Sequence, residues 1–590
     1  MGQPLRPSEF ILSYGVGSII EAPRGPRLIP AFDKWDLSRT VFSGSGNVLL
    51  KFRIDDRNAR AQLSGAEIFE IPTNPQFDLT TNQSLFRTLR FPKWALCQQH
   101  RVLYQLDANG RSHCPSCRGK LRDSQDEAIR FVRACPNGHL DDVDWHRTIH
   151  GGKPCTGQLF EWVEEAGSDL KSVRIRCMTC SADVSLQDVY FRTYACSGYF
   201  PEEGRSEPCD EKASVMLRSA TSLRIPEVIT SLTIPPPALR IHLLLSQLSI
   251  GRGLLVLAFS APDPRSELLR NLRIIASNAP EQIDPSTISE IEKFSPDEVK
   301  DAISDLLAPI VNRKTPEQVK DEEFAALKDA SEHGYPLKPS PGPLFEVDKN
   351  SVVRFLHASG VVFRVTPIKR LRVVMAQRGY RRPVRGATYS DGRVIHLVDT
   401  SYVRQGIKWY PGVAMQGEGI FIDLPDSDLF LTERANLWRT REKEKIDNPE
   451  SDLLNPVFVW WHTFAHRLLY GLSIDSGYSL AAIRERIYFK KIDGRTTGGI
   501  LLYTSQQGSD GSLGGLIALC TKEDFGRVIR AAERTLGSCS NDPLCSEHLE
   551  RNNGAACYAC LLVSETSCEF HNSYLDRLLL SESLQGRKAK

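Results

Sequence analysis

Four cysteines near the C-terminal end constrain the fold of this chain more than any other feature. Cys539 and Cys545 are followed, after eleven intervening residues, by the pair Cys557-Tyr-Ala-Cys560. A Cys-x₂-Cys pair fixes two thiolates on one tight turn, and a preceding loop can bring two more to the same Zn²⁺. The alternative is four thiols that pack together without a metal. The spacing favours a closed tetrahedral zinc site whose ligands are Cys539, Cys545, Cys557 and Cys560.

A second group of nine cysteines extends from Cys97 to Cys209, and no cysteine lies between Cys209 and Cys520. Within this group, Cys97-Gln-Gln-His100 and Cys114-Pro-Ser-Cys117 are separated by thirteen residues. This spacing is typical of a zinc ribbon, in which each short pair supplies two of the four ligands. The sequence therefore predicts a zinc site whose ligands are Cys97, His100, Cys114 and Cys117.

The remaining cysteines of this group do not pair unambiguously. The knuckle Cys177-Met-Thr-Cys180 predicts a further site, and its other two ligands are drawn from Cys135, His139, Cys155 and Cys196. Spacing does not select among these residues, and His139 has the alternative of packing locally. With Cys209, the set suffices for a second ribbon and a third site, so two to three structural Zn²⁺ are expected. The candidate ligands retained are Cys135, Cys155, Cys177, Cys180 and Cys196.

Length and composition limit the class of protein. A chain of 590 residues is too long for one core and is expected to form roughly three to five domains. Its formal net charge of +2 restricts any nucleic-acid contact to a local patch. Fifteen cysteines without an apolar signal core in MGQPLRPSEF predict reduced, metal-binding thiols and a cytoplasmic location. No apolar run reaches about eighteen residues, the length that a membrane-spanning helix needs.

Periodicity and turn residues predict an α+β multidomain protein with five segments. Zinc-ribbon modules lie toward the N-terminus, a helical region lies in the middle, and an α/β zinc-binding domain lies at the C-terminus. The expected segments are a β-rich module (1–90), the zinc-ribbon region (91–215), a helical region with a proline-rich linker (216–345), a β-rich basic region (346–450) and the C-terminal zinc-binding domain (451–590).

A basic run in the fourth segment is the candidate nucleic-acid contact. Its cations are interleaved with Tyr380 and followed by Trp409 and Tyr410. Guanidinium groups neutralise phosphates, and aromatic rings stack on exposed bases. The alternative is the solvated face of an edge strand, where arginine is common. The predicted contacts are Lys369, Arg370, Arg372, Arg378, Arg381, Arg382 and Arg385.

Motifs for catalysis are missing from the sequence. It contains no GxxxxGK[ST] phosphate loop and no His-x-Lys pair of the phospholipase D type. His462 and His466 in HTFAH lack the glutamate of HExxH, so we interpret them as polar edges of a core helix. A nuclease or other phosphodiesterase is the alternative, and its carboxylates would be the Asp141, Asp142 and Asp144 group, which a hydrated turn explains equally well.

Two single cysteines remain. Cys520, in an apolar stretch interpreted as a strand, is expected to be a core residue. Cys568, with His571, is an additional metal-ligand candidate, but the four-cysteine set is complete without it. Neither residue is needed for the predicted zinc sites.

The last segment resembles the helicase-associated, MrfA-like zinc-binding family. The matching stretches are HTFAHRLL, GYSLAAIRERIY, GSDGSLGGL, GAACYACLL with the four cysteines, and LDRLLL. Upstream, the chain is similar to the DrmB family of the bacterial DISARM phage-defence system, in RPSEFILSYGVGSIIEA, the Cys97–Cys117 ribbon, RFVRACPNGHLDDVDW and RSATSLRIPEVITSLTIPP. The resemblance therefore covers nearly the whole chain. It departs at His100, where the family more usually has cysteine, and at RSATS, where RGAS is more usual.

This resemblance implies an adaptor that has no catalytic residues of its own. DrmB-like proteins pair with a superfamily-two helicase, the DrmA-like subunit, and the two together engage foreign DNA, with single-stranded regions as the contact. The expected function is a non-catalytic zinc-containing subunit of an anti-phage complex that docks this helicase. Histidine is itself a zinc ligand, so His100 is expected to preserve the first site.

Overall fold

The chain, described here by a computed structural model, groups into two compact units. Unit 1 comprises Met1–Ile54, Ala66–Ile229 and Met375–Val413, and unit 2 comprises Asp55–Gly65, Thr230–Val374 and Ala414–Lys590. The five-segment division stays a prediction, because each unit combines segments that are distant in sequence. The described residues are 5–22, 25–35, 52–77, 86–106, 114–117, 126–165, 169–234, 240–247, 252–278, 283, 285–307, 315–337, 344–383, 395–404, 407–425, 429, 431–444, 449–492, 495–506, 513–547, 552–564 and 567–585.

Helices and strands alternate irregularly along the chain, as in an α+β protein. The helices are α1 Pro7–Leu12, α2 Arg57–Gln62, α3 Trp145–His150, α4 Leu186–Phe191, α5 Arg240–Gln247, α6 Arg252–Phe259, α7 Pro264–Asn278, α8 Pro285–Ile291, α9 Pro296–Leu307, α10 Pro316–His333, α11 Ala435–Glu444, α12 Pro456–Asp475, α13 Lys522–Glu533, α14 Leu544–Glu547 and α15 Arg577–Gln585. The strands are β1 Ile19–Ile20, β2 Arg27–Leu28, β3 Glu67–Glu70, β4 Leu89–Arg90, β5 Trp94–Cys97, β6 Val102–Gln105, β7 Asp126–Ala128, β8 Phe131–Ala134, β9 Leu140–Asp142, β10 Phe160–Glu164, β11 Val173–Cys177, β12 Asp183–Ser185, β13 Thr193–Ala195, β14 Tyr199–Phe200, β15 Arg205–Ser206, β16 Lys212–Leu217, β17 Ile225–Leu232, β18 Tyr335–Leu337, β19 Phe345–Val347, β20 Val353–Leu356, β21 Val362–Arg381, β22 Val398–Asp399, β23 Tyr402–Arg404, β24 Ile407–Asp423, β25 Ile483–Ile492 and β26 Arg495–Gln506.

Two antiparallel sheets of unit 1 position its cysteines. One has the strand order β12-β11-β10-β6-β5-β7 and the other the order β13-β16-β8-β9. Buried aromatic and aliphatic side chains, including Trp94, Trp145 and Phe160, form the core beside them. Cys97 and Cys177 are the last residues of β5 and β11, and Cys135 and Cys196 directly follow β8 and β13. Strand pairing therefore determines which thiols come together.

Helix α12 is the centre of unit 2. Asn455 caps it by accepting a hydrogen bond from the backbone N–H of Val457, and Pro456 occupies the first turn. The helix contacts α13, β25 and β26 and is buried on nearly all sides over residues 456–469. β25 and β26 form a long hairpin, and β26 also pairs with β24 from Gln416 to Asp423. The sequence predicts one apolar stripe on this helix, and the buried surface is wider than that single face. The stripe consists of Trp461, Phe464, Ala465, Leu468, Leu469 and Leu472.

Most elements expected from periodicity are found in the structure. Apolar residues at helical spacing in 266–278, 284–294 and 295–311, with Asp284 and Ser295 as N-caps, predict three helices, which correspond to α7, α8 and α9. Ser295 caps α9, since its hydroxyl accepts a hydrogen bond from the N–H of Glu298. Asp284 lies outside the described residues, as do residues 48–51 of a strand predicted over residues 48–54. Cys520 is buried as expected, but it lies in the 3₁₀ helix Ile517–Cys520. The prediction of a strand there was wrong, because an apolar run alone does not distinguish the two.

None of the helices in the described part of the chain has the length and apolarity that crossing a membrane requires.

Candidate metal centres

Four groups of cysteine and histidine side chains in the described residues each bring four ligand atoms within 4.8 Å of one another. Thiolate and imidazole donors in sets of four are the ligands of structural zinc. The groups are site A (Cys97, His100, Cys114, Cys117), site B (Cys135, His139, Cys196, Cys209), site C (His150, Cys155, Cys177, Cys180) and site D (Cys539, Cys545, Cys557, Cys560).

Site A unites the four residues that the ribbon spacing singled out. β5 and β6 form a hairpin with Leu96 opposite Leu103, so Cys97 and His100 lie at its turn. The Nδ1 atom of His100 lies 3.6 Å from Cys97 Sγ, 3.8 Å from Cys114 Sγ and 3.2 Å from Cys117 Sγ. His100 thus takes the place of a fourth thiol and presents Nδ1 to the other ligands.

Site B forms around the hairpin of β8 and β9. Cys135 Sγ lies 3.2 Å and Cys196 Sγ 3.5 Å from His139 Nδ1. The opposite ring atom, Nε2, lies 3.2 Å from Glu207 Oε1, an arrangement that orients a ligating histidine. The Arg205 guanidinium, ahead of His139, lowers the pKa of Glu207, which keeps this partner ionised. Cys209 completes the set, and the amide of Asn137 donates to its Sγ at 3.5 Å.

Site C is built on the hairpin of β10 and β11. Phe160 lies opposite Cys177, so the segment before β10 brings Cys155 beside the knuckle, with the two Sγ atoms 3.9 Å apart. Backbone N–H groups of Gly157 and Thr179 donate to these sulfurs at 3.3 and 3.4 Å. A Cβ at Gly157 would lie 2.7 Å from Cys177 Sγ, so this close approach requires glycine.

The fourth ligand of site C is a histidine that the sequence did not single out. His150 ends α3, and its Nδ1 donates to the carbonyl of His146 at 2.7 Å. Its Nε2 is buried and has no hydrogen-bond partner among the described residues, as expected for an atom that faces a metal. Of the residues considered as partners of the knuckle, only Cys155 joins it, because strand pairing assigns Cys135, His139 and Cys196 to site B. The double glycine between His150 and Cys155, a turn that brings two ligands together, was the available signal.

Site D contains the four C-terminal cysteines. The Sγ atoms of Cys539 and Cys557 are 3.4 Å apart, those of Cys545 and Cys560 are 3.7 Å apart, and those of the knuckle pair are 3.8 Å apart. Such separations match the edges of a tetrahedron around zinc with bonds of about 2.3 Å. The donor set and the spacing both fit a closed Cys₄ zinc site.

Buried arginines attach site D to the rest of unit 2. Arg467 of α12 donates to the carbonyls of Cys560 at 2.8 Å and Ala532 at 2.7 Å. Arg577 of α15 donates to the carbonyl of Leu536 and to the side chain of Asp542, which lies between the first two cysteines. The site therefore connects three helices through backbone groups that would otherwise be buried without partners.

Crowded thiols resist ionisation unless a cation is present. Burial, opposed by Arg577, raises the pKa of Cys545 to about 11. In site C, burial opposes ionisation of Cys177, but hydrogen bonds from the backbone N–H groups of Cys180 and Thr179, together with the side chains of His150 and Cys180, lower its pKa to about 6. One thiol of that site is thus ready to bind as thiolate, and a divalent cation favours deprotonation of the others.

The basic run lies on β21 as far as Arg381, where the strand ends, and its cations have different surroundings. Arg370 and Arg378 are exposed and have no ion-pair partner in the described part of the chain. Lys369 and Arg381 pair with Asp348 and Glu227. The side chain of Arg372 donates to the carbonyl of Asp55 at 3.2 Å, and Arg385 lies outside the described residues.

Arg382 differs most from the predicted phosphate contact, because its side chain is fully buried. Its guanidinium donates to the carbonyls of Gly138, Leu223 and Gly17 at 2.9, 2.8 and 3.1 Å. A cation held by three carbonyls in the interior does not meet a phosphate. The structure therefore gives Arg382 an internal role.

The acidic group near His139 is engaged in local structure. Asp144 caps α3, Asp141 pairs with Arg133, and Asp142 accepts from the backbone N–H of Lys93 at 3.0 Å. Burial, assisted by the Asp141 carboxylate, raises the pKa of Asp142 to about 7. These three carboxylates have structural partners, so their arrangement offers no support for a metal nuclease.

Comparison with known proteins finds matches to two family models and to one curated relative. Residues 6–225, which include sites A, B and C, match a family described as a domain of unknown function (DUF8724). Residues 464–561, which include site D, match the MrfA Zn-binding domain. The chain is 27% identical over 572 residues to the DISARM protein DrmB of Bacillus paralicheniformis, with 91% of this chain and 94% of that protein covered. The resemblance inferred from the sequence is thereby confirmed: over 91% of its length the chain is similar to DISARM protein DrmB, and near its C-terminal end it has a MrfA Zn-binding domain.

Proposed function

We propose that this chain is a non-catalytic, zinc-containing subunit of a bacterial anti-phage complex of the DISARM type. In this role it docks a superfamily-two DNA helicase in the cytoplasm and helps bind foreign DNA. The observation that carries the proposal is the similarity to DISARM protein DrmB, which covers 91% of this chain and 94% of its relative. Coverage of both chains nearly end to end favours a shared role of the whole protein over a shared single domain.

The candidate metal sites support a structural role for zinc. Each of sites A to D has four protein ligands, which leaves no open position at which a metal could activate water. Three of the sites join hairpins of unit 1, and site D joins helices of unit 2. Zinc in these positions contributes to folding, so a partner or DNA would be recognised by surfaces that the sites hold in place.

Motor activity is assigned to the partner. The sequence has no GxxxxGK[ST] loop with which to bind the phosphates of ATP. A subunit of this kind contributes to the complex by binding, and ATP hydrolysis comes from the helicase.

The docking proposal predicts a stable complex with the helicase encoded by the neighbouring gene. We expect the two proteins, purified separately and mixed, to elute together from a size-exclusion column with one-to-one stoichiometry. The control is an unrelated superfamily-two helicase at the same concentration, which is expected to elute separately. Two independent peaks with the neighbouring helicase at micromolar concentration would contradict docking.

The DNA-binding part of the proposal depends on exposed cations of β21. Arg370 and Arg378 are the residues of the predicted run that are exposed and have no ion-pair partner among the described residues. Lys369 and Arg381 have carboxylate partners that already neutralise part of their charge. We therefore assign phosphate contacts first to Arg370 and Arg378.

Replacing either of these arginines by alanine is expected to weaken DNA binding and to flatten its salt dependence. Each lost phosphate contact lowers the slope of log K against log salt by about 0.7 to 0.9, since fewer counterions are released. Fluorescence anisotropy of a partly single-stranded DNA, titrated at several salt concentrations with the chain alone and with its helicase, measures this slope. Arg530→Ala and Arg192→Ala, at exposed arginines elsewhere in the two units, are the controls. An unchanged slope would return β21 to the solvated-strand interpretation.

A further inference from the structure

Four additional side chains with metal-binding atoms meet in the interior of unit 2. His462 and His466 are one turn apart on α12, Glu485 is on β25, and Cys568 follows the site D knuckle in sequence. Their ligand atoms lie within 4.8 Å of one another, and all four side chains are buried. We call these residues the buried cluster. The sequence predicted that the two histidines lie at the polar edges of a core helix. Both are instead fully buried in the interior of unit 2.

The distances within the buried cluster are those of a tetrahedral site. His462 Nε2 lies 3.0 Å from Glu485 Oε1 and 3.3 Å from Cys568 Sγ, and His466 Nε2 lies 3.4 Å from Glu485 Oε1. Bonds of about 2.0 to 2.1 Å to nitrogen or oxygen and about 2.3 Å to sulfur separate tetrahedral ligand atoms by about 3.3 to 3.6 Å. The spacing is therefore close to that of zinc ligands and resembles the spacing in sites A to D.

A backbone carbonyl orients one histidine of the buried cluster as it would a metal ligand. The Nδ1 atom of His466 lies 2.8 Å from the carbonyl of Leu561, so it carries the hydrogen and directs the lone pair of Nε2 into the cluster. Nε2 of His466 and Oε2 of Glu485 are buried and make no hydrogen bond in the described part of the chain. Buried polar atoms without partners are costly, and a cation at the centre would provide one.

The sulfur of Cys568 has the hydrogen bonds of a zinc-bound thiolate. It accepts from the backbone N–H of Phe570 at 3.3 Å and of Asn572 at 3.2 Å. The same bond, from the residue two positions later, is made to Cys155, Cys177, Cys196 and Cys539 in sites B, C and D. Cys520, a buried cysteine outside any cluster, instead donates to the carbonyl of Leu516.

We propose that His462, His466, Glu485 and Cys568 form a fifth zinc site in this chain. Two neutral imidazoles, one carboxylate and one thiolate balance the charge of Zn²⁺, so the site adds no net charge to the core. Binding deprotonates the Cys568 thiol and releases that proton to solvent. The metal connects α12, β25 and the segment before α15, and with four ligands it is structural. His462 and Cys568 lie outside the residues that match the MrfA Zn-binding domain, so this site is separate from the Cys₄ site of that match.

The test compares the zinc content of two variants of the chain, in each of which one buried glutamate is replaced by glutamine. Glu485→Gln in the full chain keeps the size of the side chain but removes the carboxylate, so it is expected to contain one zinc fewer per chain by inductively coupled plasma mass spectrometry. Glu418→Gln is the matched control, because Glu418 is also fully buried in unit 2 but accepts hydrogen bonds from Tyr478 and Leu516. Equal zinc content in Glu485→Gln and wild type would overturn the proposal.

A second measurement separates loss of this site from unfolding of its neighbour. In crystals of the wild-type chain, anomalous diffraction above the zinc absorption edge is expected to give a peak between His466 Nε2 and Cys568 Sγ. A peak at site D without one in the buried cluster would overturn the assignment. The result is independent of the proposed defence function, because neither measurement requires a helicase or DNA.

Discussion

Replacing Cys557 and Cys560 together by serine is expected to remove one zinc per chain and to leave the C-terminal part of unit 2 sensitive to proteases. Structural zinc contributes about 10 to 16 kcal/mol of apparent binding free energy in small zinc domains, comparable to or larger than the whole stability of a typical domain. The buried groups around site D, such as the Cys560 carbonyl and the Arg467 guanidinium, depend on the folded knuckle.

The measurement is zinc content combined with limited proteolysis and mass spectrometry of the fragments. Cleavage is expected to increase within α13 and the segment that follows it, while fragments containing sites A to C stay protected. Cys520→Ser is the control, since Cys520 is a buried cysteine of the same unit that belongs to no candidate site. A double variant that retains its full zinc content and its protease resistance would contradict the assignment of site D.

All four ligands of sites A and D could be predicted from the sequence, but in sites B and C the grouping of ligands that are distant in sequence could not. A Cys-x₂-Cys knuckle fixes two ligands on one turn, so Cys177 and Cys180 were identified by spacing alone. Their partners depend on the pairing of Phe160 with Cys177, which places Cys155 beside the knuckle. Nothing in the spacing encodes that register. Cys209 could not be assigned for the same reason, because its place in site B depends on the pairing of β13 with β16.

Helix α12 shows why polar residues in a buried helix are difficult to interpret. An apolar stripe on one side and histidines in between suggested a helix with polar edges. The helix is instead buried on nearly all sides, and its polar groups find partners inside: His462 with Glu485, and Arg467 with the carbonyl of Ala532. Those partners come from a strand and a helix that are distant in sequence, so the pattern of α12 alone does not reveal them.

The arginines of β21 illustrate a different limit. Arg378 and Arg382 are four residues apart, so strand alternation alone would place them on the same face. Arg382, however, directly follows the end of β21, and its side chain is buried, whereas that of Arg378 is exposed. The sequence shows where positive charge is concentrated along the chain, but only the structure shows which of these cations are exposed to solvent.

Arg382→Met is expected to destabilise unit 1 by about 3 to 5 kcal/mol, whereas Arg378→Met four residues earlier changes stability by about 0.5 kcal/mol or less. Methionine preserves much of the volume of arginine but leaves the carbonyls of Gly138 and Leu223 without a donor. It also leaves Glu202, which lies 3.5 Å from the Arg382 guanidinium and is itself buried, without its cationic partner. Breaking one side of a buried charged network costs more than the network contributes, because the other side stays desolvated.

Hydrogen exchange monitored by mass spectrometry distinguishes this internal role from a phosphate contact. In Arg382→Met, faster exchange is expected in β8 and β9, since Gly138 lies in the turn between them and its carbonyl loses a donor. Because the same turn carries Cys135 and His139, zinc in site B is expected to become easier to remove with a chelator. Arg378→Met is expected to show wild-type exchange and zinc retention but a smaller salt slope for DNA binding. Wild-type exchange in Arg382→Met, with loss of DNA affinity instead, would reverse the two assignments and make Arg382 the phosphate contact.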